Sequence, residues 1–532
     1  VHVVNDDAFP GTTDVTIVGF GPVGKLLAIM LGRRGHSVLV IDRNQAGYPL
    51  PRAVTHCSDF ARILQSVGLA PDRIPAITQP YDDMYVWRNG AGQTLVEVDW
   101  SGYGESGWYN TYFFNQPALE DALDAAVAGL PSVCVKRGWE AIGLVQQEGA
   151  ATVTAQCVAT GREATVASTW VVGADGANSA VREWTGIEWH DEGYFYDWLV
   201  VDVEPRPELE FPHVAAQSCD VRRPSTMVPG GPGRRRWEFM RLPGESRESL
   251  NSTETAWSLL EPYGLTPDNA RLERHSVYTF QACWATRWRE GRVLLAGDAA
   301  HLMPPFAGQG LGAGARDVMN LGWKLDAVLR GLAADGLLDT YGTERLRHAV
   351  AFVEFSTELG RIICITDPGE AAQRDARMLA EWSAGRKPPA PPRPRLGPGL
   401  HTGPEGGSLA RQGRVGVDGR VPVLFDDAFG GPAALIVRSG TSLAALGQDT
   451  VRALTRLGVS RAALNGAAGD GATVVDDTDR TYADWLDELR ADAVLVRPDF
   501  HLYGATDADG VTELVDGFLA SLGASSTPLV AR

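Results

Sequence analysis

Cysteine is scarce in this chain. Six occur in 532 residues (Cys57, Cys134, Cys157, Cys219, Cys283 and Cys364), and no two stand in a CxxC spacing. That excludes a dithiol redox pair and a zinc knuckle, and nothing in the sequence predicts a metal. Scattered thiols fit a reducing compartment, so a cytoplasmic location is expected. Apolar runs fall far short of the roughly 20 residues of a membrane span. The opening Val-His-Val-Val-Asn-Asp-Asp has no basic segment followed by an apolar one, so no signal peptide is expected. Positive charge is also in short supply. Lys and Arg total 48 against 66 Asp and Glu, a net charge of −18 and a pI near 5.0. A surface this acidic repels nucleic acid and anionic lipid, and neither is expected as a partner. An anionic substrate would need local arginines to overcome the global field.

What is present is an ordinary globular balance, 44% hydrophobic and 21% charged, in a chain long enough for about two to four domains. Residues 14–42 read as a βαβ unit. A buried strand, Val15–Val18, runs into Gly19-Phe20-Gly21-Pro22-Val23-Gly24. A helix with an apolar face at Leu26, Leu27, Met30 and Leu31 follows, and a second strand ends at Asp42. Gly19 permits the tight turn, Gly21 lets a pyrophosphate touch the backbone, and Gly24 lets helix and strand pack closely. The helix start offers free N–H groups and positive potential, and Asp42 can accept from a ribose. In this strand–turn–helix setting the GxGxxG pattern predicts a dinucleotide site. Arg43, next in sequence, has two readings of equal weight: a nicotinamide-cofactor contact or a surface ion pair.

Two further segments share that design. In "TWVVGADGANSAVR", residues 169–182, a buried strand ends at Asp175-Gly176. Asp175 is either a second contact to the dinucleotide or a plain helix-capping acid. In "LLAGDAAHLMPPFAGQGLGAGARDVMNLGWKL", residues 294–325, a strand breaks at Gly297-Asp298, passes Pro304 and Pro305, and becomes a helix near Leu311. Asp298 can accept hydrogen bonds from a chain of hydroxyls. Gly308, Gly310 and Gly312 let a flat ring lie against bare backbone, and the prolines stiffen the wall. The helix start favours negative charge on such a ring. Its apolar positions Leu311, Ala315, Val318, Gly322, Leu325 and Leu329 predict one buried stripe. Arg316 and Lys324 are then expected on the solvent face, and His301 is expected to be a satisfied turn histidine.

From about Trp198 to Phe280 the pattern predicts strands separated by Pro/Gly turns, an antiparallel sheet inserted into the α/β fold. In "RWEFMRL", Trp237 and Phe239 share a face and are candidates for the pocket wall; sheet core is the alternative. Arg234-Arg235-Arg236 could draw an anionic substrate or NADPH, but after "PGGPG" it is expected to be a solvated hairpin shoulder. The proline-rich stretch 386–399 predicts an extended linker. Beyond it, 400–532 reads as a separate domain, with "AALIVRS" and "DAVLVRPD" as buried strands.

The three glycine-acid motifs, in this order, resemble the class A flavoprotein monooxygenases, the aromatic hydroxylases of the p-hydroxybenzoate hydroxylase (PHBH) fold. The resemblance covers roughly residues 12–370. It implies an α/β Rossmann-like FAD-binding domain, an inserted β-sheet substrate domain and a C-terminal thioredoxin-like domain. The implied boundaries are 1–80, 105–190 and 285–385 for the FAD domain, and 81–104 with 191–284 for the substrate domain. The linker is 386–399, and 400–532 is thioredoxin-like without CxxC. By the same resemblance FAD is held by Gly19, Gly21, Pro22, Val23, Gly24, Asp42 and Arg43. Arg52 of "YPLPRAV", Gln116 of "FNQPALE", Asp175, Gly297 and Asp298 join them. Pro305, Gly308, Gly310, Leu311 and Gly312 line the ring. Pro304, Trp237 and Phe239 are the candidates nearest the chemistry.

The implied reaction consumes NADPH or NADH and O₂ and hydroxylates a phenol through a C4a-hydroperoxide of the flavin. Within the class the chain is most similar to 3-(3-hydroxyphenyl)propionate hydroxylases and related phenol hydroxylases. Polyketide hydroxylases share the architecture, so both substrate classes stay open, as does a homodimer. Baeyer–Villiger, epoxidising and dearomatising oxidations use the same motifs. A non-catalytic FAD-binding module is the remaining alternative. A flavin halogenase is disfavoured because its tryptophan-rich signature is missing.

Overall fold

A computed structural model of the chain describes residues 9–523 apart from 48, 210, 212, 213, 389, 468 and 470. The segment searched for a signal peptide, position 48 of "YPLPRAV", positions 210, 212 and 213 within the stretch expected to form the inserted sheet, one linker proline and the last nine residues lie outside the described residues.

The first sheet is built on the predicted βαβ unit. Strand Thr12–Val18 pairs in parallel with Val38–Asp42 on one side and with Glu163–Gly173 on the other. Val133–Arg137 extends the first side and Val293–Leu295 the second, both parallel. Strand order therefore reverses at the first strand, and the crevice beyond the carboxyl ends of Thr12–Val18 and Glu163–Gly173 is where such sheets bind ligands. The runs are apolar without alternation because both faces are covered: Val15, Ile17, Leu39, Val40, Val171, Val172 and Leu294 are buried to 1% exposure or less.

The second sheet has eight strands: His301–Leu302, Ala270–Ala285, Trp189–Pro205, Arg235–Met240, Ser225–Pro229, Ala215–Cys219, Met84–Asn89 and Thr94–Asp99, in that spatial order. It is the expected inserted sheet, with one departure: Ala215–Cys219 and Met84–Asn89 run parallel. The loop before strand Thr55–Cys57 and the turn before helix Gly310–Leu329 stand over one face of it.

Helix Gly310–Leu329 departs from the single-stripe expectation. Every residue from Gly312 to Ala327 is buried. The helix lies between Pro22–Arg33, Ser58–Ser66 and Asp339–Ile363, and its far end carries Trp323 into the core of the C-terminal unit. Arg316 and Lys324 are therefore buried rather than solvated. A buried charge must be paired, and each is: Arg316 with Asp59, and Lys324 with Glu344 at 2.7 Å. His301 is satisfied as expected, by Asp317 at 2.7 Å.

The segment 386–399 is extended, but its end is anchored. Gly397 N–H donates to the Glu344 carbonyl and Leu396 N–H to the Gly407 carbonyl. The C-terminal unit has a seven-stranded mixed sheet in which Ala434–Ser439 lies between Ser460–Asn465, parallel to it, and Ala493–Val496, antiparallel.

Candidate active site

The three glycine-acid motifs converge at the crevice. Gly19 has φ +104°, and a Cβ there would stand 2.2 Å from the Ala174 carbonyl oxygen, so the first motif is pressed against the second. A Cβ on Gly24 would stand 2.1 Å from the Gly19 carbonyl oxygen. A Cβ on Gly21 would meet nothing within 4 Å. Two glycines are thus required by packing, and the third opens the backbone to space in front of the helix. No side chain caps that helix. This uncapped, open cradle fits a pyrophosphate. The third motif closes on the same place. A Cβ on Gly297, at φ +63°, would lie 3.0 Å from Val23 Cγ2, and one on Gly314 would lie 2.7 Å from that atom. Arg182 donates to the carbonyls of Ala177 and Ala299, lashing the second motif to the third.

The acids differ in what occupies them. Asp42 accepts from Phe20 N–H at 2.7 Å and from Asn44 N–H at 2.8 Å, which rigidifies the turn. Asp175 accepts from Ser179 Oγ at 2.6 Å and Val181 N–H at 3.2 Å, while the cap of the following helix is Ser179, whose Oγ accepts from Arg182 N–H at 3.0 Å. Burial pushes the Asp175 carboxyl upward, opposed by its bonds from Ser179 and Val181. Asp298 is exposed at the turn. Arg43 is a surface residue 3.9 Å from Glu140. Gln116 holds the arginine loop, its Oε1 accepting from Arg52 N–H at 3.0 Å and Ala53 N–H at 2.6 Å.

Between this crevice and the second sheet lies a cavity of about 280 Å³. Arg52–Thr55, Pro305, Phe306 and Gly308–Leu311 form one wall, Tyr85, Trp100, Phe113 and Phe280 another, and the sheet face the floor. Pro304 is buried behind the loop and does not line it, whereas Pro305 does. Trp237 and Phe239 do not line it either. They share a face, as expected, but it is the opposite one, packed with Leu199, Val201, Leu250 and Leu260. By the two-residue period, Arg236 and Glu238 point into the cavity instead.

The arginine triplet is consequently not a solvated shoulder. Arg235 and Arg236 are buried. Arg236 forks onto Asp202 at 2.7 and 2.9 Å and also donates to the carbonyls of Pro51 and Arg52. Arg274 donates to Pro51 as well and lies over the Tyr278 ring. The sheet thereby grips the arginine loop. Sequence reasoning placed Arg236 in solvent and missed Asp202 and Glu238; the signal was the polar half of the alternation in "RRWEFM". It also missed Lys25, wholly buried and 2.9 Å from both Glu120 and Asp124 beneath the glycine-loop helix. Near the ring loop, Asp59 is paired with Arg316. Burial raises its carboxyl, but the guanidinium overcomes that and holds it at about 2. The adjacent Cys57 thiol is pushed up to about 12 by burial and by Asp59, so it is an inert thiol.

Comparison with known proteins agrees with this geometry. Residues 12–356 match the family described as the FAD binding domain, and 407–521 match the HcaD C-terminal domain. The chain is 36% identical over 511 residues to a probable NADH-specific resorcinol 4-hydroxylase of Rhodococcus jostii strain RHA1, covering 96% of this chain and 95% of that protein. It is 34% identical over 526 residues to a 3-(3-hydroxy-phenyl)propionate/3-hydroxycinnamic acid hydroxylase of Mycolicibacterium smegmatis, covering 95% and 92%. Among solved structures, the flavin-dependent monooxygenase PieE in complex with FAD and substrate superposes with a TM-score of 0.77 at 25% identity, covering 97% of this chain and 100% of that one. The p-nitrophenol 4-monooxygenase PnpA of Pseudomonas putida DLL-E4 gives 0.62 at 25%, covering 70% and 94%. With its FAD-binding region, its PHBH-like fold and its HcaD-like C-terminal unit, the chain belongs to the class A FAD-binding monooxygenase family.

Proposed function

We propose that the protein is an FAD-dependent, NADH- and O₂-consuming monooxygenase that adds one hydroxyl group to a single-ring phenol. The cavity carries this reading. One wall is the glycine loop, the others are aromatic, and 280 Å³ is at the small end for a binding pocket, which favours one ring over a fused polyketide. NADH is favoured by the NADH-specific relative.

Gly19, Gly21, Gly24 and the uncapped helix start would hold the pyrophosphate, and Asp42 the ribose. Arg52, Gln116, Asp175 and Asp298 would stand along the rest of the chain, and Pro305, Gly308 and Gly310–Gly312 along the ring. Bound FAD would supply the redox chemistry, taking reducing equivalents from NADH and activating O₂. The chain's own residues do the remainder. Tyr85, Trp100, Phe113, Phe280 and Phe306 surround the reacting ring and exclude water, which would otherwise divert reducing power to peroxide. The Arg236–Asp202 pair fixes the Arg52 loop that closes one side. Residues 1–80, 105–190 and 285–385 form the cofactor domain in this reading, and 81–104 with 191–284 the substrate domain. In this reading the C-terminal unit is a thioredoxin-like domain, a reading that its mixed sheet with accompanying helices supports. Lacking CxxC, it acts as a packing domain, supported by the ion pairs that join it to the cofactor domain.

The test is NADH and NADPH oxidation by the purified yellow holoenzyme with resorcinol and with 3-(3-hydroxyphenyl)propionate, measuring peroxide and product mass. NADH consumption matched by a product one oxygen heavier, with little peroxide, is expected. A protein that binds FAD but oxidises no NADH with any phenol is the non-catalytic module. A ring-expanded or epoxide product would point to the rival oxidations.

A further inference from the structure

We infer that Glu238 is a catalytic residue: its carboxylate takes the hydroxyl proton of an uncharged hydroxybenzene bound in the cavity. This deepens the proposed reaction and rests on it.

The sheet register sets the geometry. Glu238 stands opposite Val200 on one neighbouring strand and Thr226 on the other, and Thr226 stands opposite Gln217. All four line the cavity. The polar members of this row are already engaged. Thr226 Oγ1 donates to Gln217 Oε1 at 2.7 Å, and Gln217 Nε2 donates to the Ser225 carbonyl at 2.9 Å. Glu238 is not. It is 8% exposed, and its recorded ionic neighbour among the described residues is Arg236 Nη1 at 3.7 Å, beyond hydrogen-bond distance. Arg236 is itself committed to Asp202 and two backbone carbonyls. A buried carboxylate with open acceptor positions, facing an apolar ring-sized space, wants a donor from whatever fills that space.

The charges around Glu238 support a base. Arg236 stands on its own strand, Asp202 on Trp189–Pro205, Arg274 and Tyr278 on Ala270–Ala285, Tyr85 on Met84–Asn89, and Arg52 on the loop. Burial raises the Glu238 carboxyl, and Arg236 opposes this. A raised carboxyl is a better proton acceptor near neutral pH. On the floor Arg236 and Arg274 offset Asp202 and Glu238, while Arg52 stands on the facing loop, so a ring carboxylate placed at Glu238 would meet a like charge.

In the step, the substrate O–H bond breaks, the proton moves to a Glu238 oxygen, and the electron pair stays on the substrate oxygen. That pair spreads to the ortho and para carbons, and one of them forms a C–O bond to an oxygen derived from O₂ as the O–O bond breaks, the second oxygen atom ending as water with the two electrons that NADH supplies. After oxygen transfer the ring carbon loses its hydrogen to water, and Glu238 returns its proton to the original oxygen. The ring is aromatic again and the carboxylate is restored.

The test is E238Q against E238D and wild type, as FAD-loaded holoenzymes, with resorcinol and 3-hydroxybenzoate as probes. E238Q is expected to bind FAD and resorcinol, to lower coupled hydroxylation by at least about 100-fold, and to raise peroxide correspondingly. In wild type, hydroxylation should fall with acidification as Glu238 protonates; E238Q should lose that limb and E238D should keep it at reduced rate. Wild type should favour resorcinol over 3-hydroxybenzoate, and E238Q should narrow that preference. If E238Q fails to fold, E238D decides: a shifted acidic limb with reduced coupling supports the assignment, and an unchanged pH profile overturns it. E238Q that hydroxylates resorcinol at the wild-type rate and pH profile overturns it as well. A wild type that hydroxylates no phenol instead defeats the proposed reaction, a separable result.

Discussion

Arg236 shows how much one side chain can organise. It is buried, and it serves Asp202, Pro51 and Arg52 at once. Arg236→Met should strip Asp202 of its forked partner and leave it inside the sheet facing Arg274 at 3.7 Å, costing about 3 kcal/mol, read as a lower midpoint in urea unfolding. It should also free the Arg52 loop, so the variant that still folds should show raised KM for the phenol. The chain at 234–236 gave no warning, because a run of arginines after a Pro/Gly turn is most often solvated, and Asp202 is 34 residues distant. Trp237 and Phe239 teach the converse. Their shared face was legible from the period of two, but which face looked at the cavity depended on where the Thr253–Leu260 helix packed.

At the scale of elements, the glycine turn is the part most fully written in the sequence. A strand, three spaced glycines, a helix and a terminal acid stand where expected. What the pattern could not tell was that Gly19 abuts Ala174 and that Gly297 and Gly314 both press on Val23. Gly24→Ala should drive its Cβ into a backbone carbonyl rather than into a movable side chain, pushing the helix off the turn. Purified G24A is expected to keep its far-ultraviolet circular dichroism and to lose most of its bound FAD, read as the ratio of flavin to protein absorbance. The helix after the third motif was legible in its start but not in its burial. A single apolar stripe was a sound inference for a surface helix. Arg316, Asp317, Asn320 and Lys324 form a second buried face only because their partners Asp59, His301, Arg345, Glu344 and Asp499 come from other elements.

Across the whole molecule, one buried cluster joins the C-terminal unit to the cofactor domain. Arg497 forks onto Glu344 at 2.7 and 2.8 Å, reaches Asp499 at 2.7 Å and donates to the Leu400 carbonyl, while Lys324 and Asn320 meet the same acids. Arg497→Met should uncouple the two bodies, giving two unfolding transitions in calorimetry where wild type gives one. Acid should act in the same direction. Burial pushes the Glu344 and Asp499 carboxyls up, but Arg497 and the neighbouring groups pull both well below the ordinary range. Asp59 behaves likewise, held at about 2 against an unfolded 3.8. Folded values below unfolded ones mean stability present above about pH 4.5 and lost as pH falls through the folded values. Lys324 has the opposite sign. Burial depresses it from 10.5 to about 8, so its penalty eases as pH rises through that window. Melting temperature should therefore fall steeply between pH 4.5 and 2.5, and R497M should show a shallower fall. The sequence by itself determined the cofactor crevice, because a strand, a glycine turn and a helix are neighbours in the chain and their chemistry is local. Only the tertiary structure decided the cavity floor and the joint between the domains. Both are made of charges whose partners lie far away in sequence, and an alternating strand states which residues share a face but not which face meets the ligand.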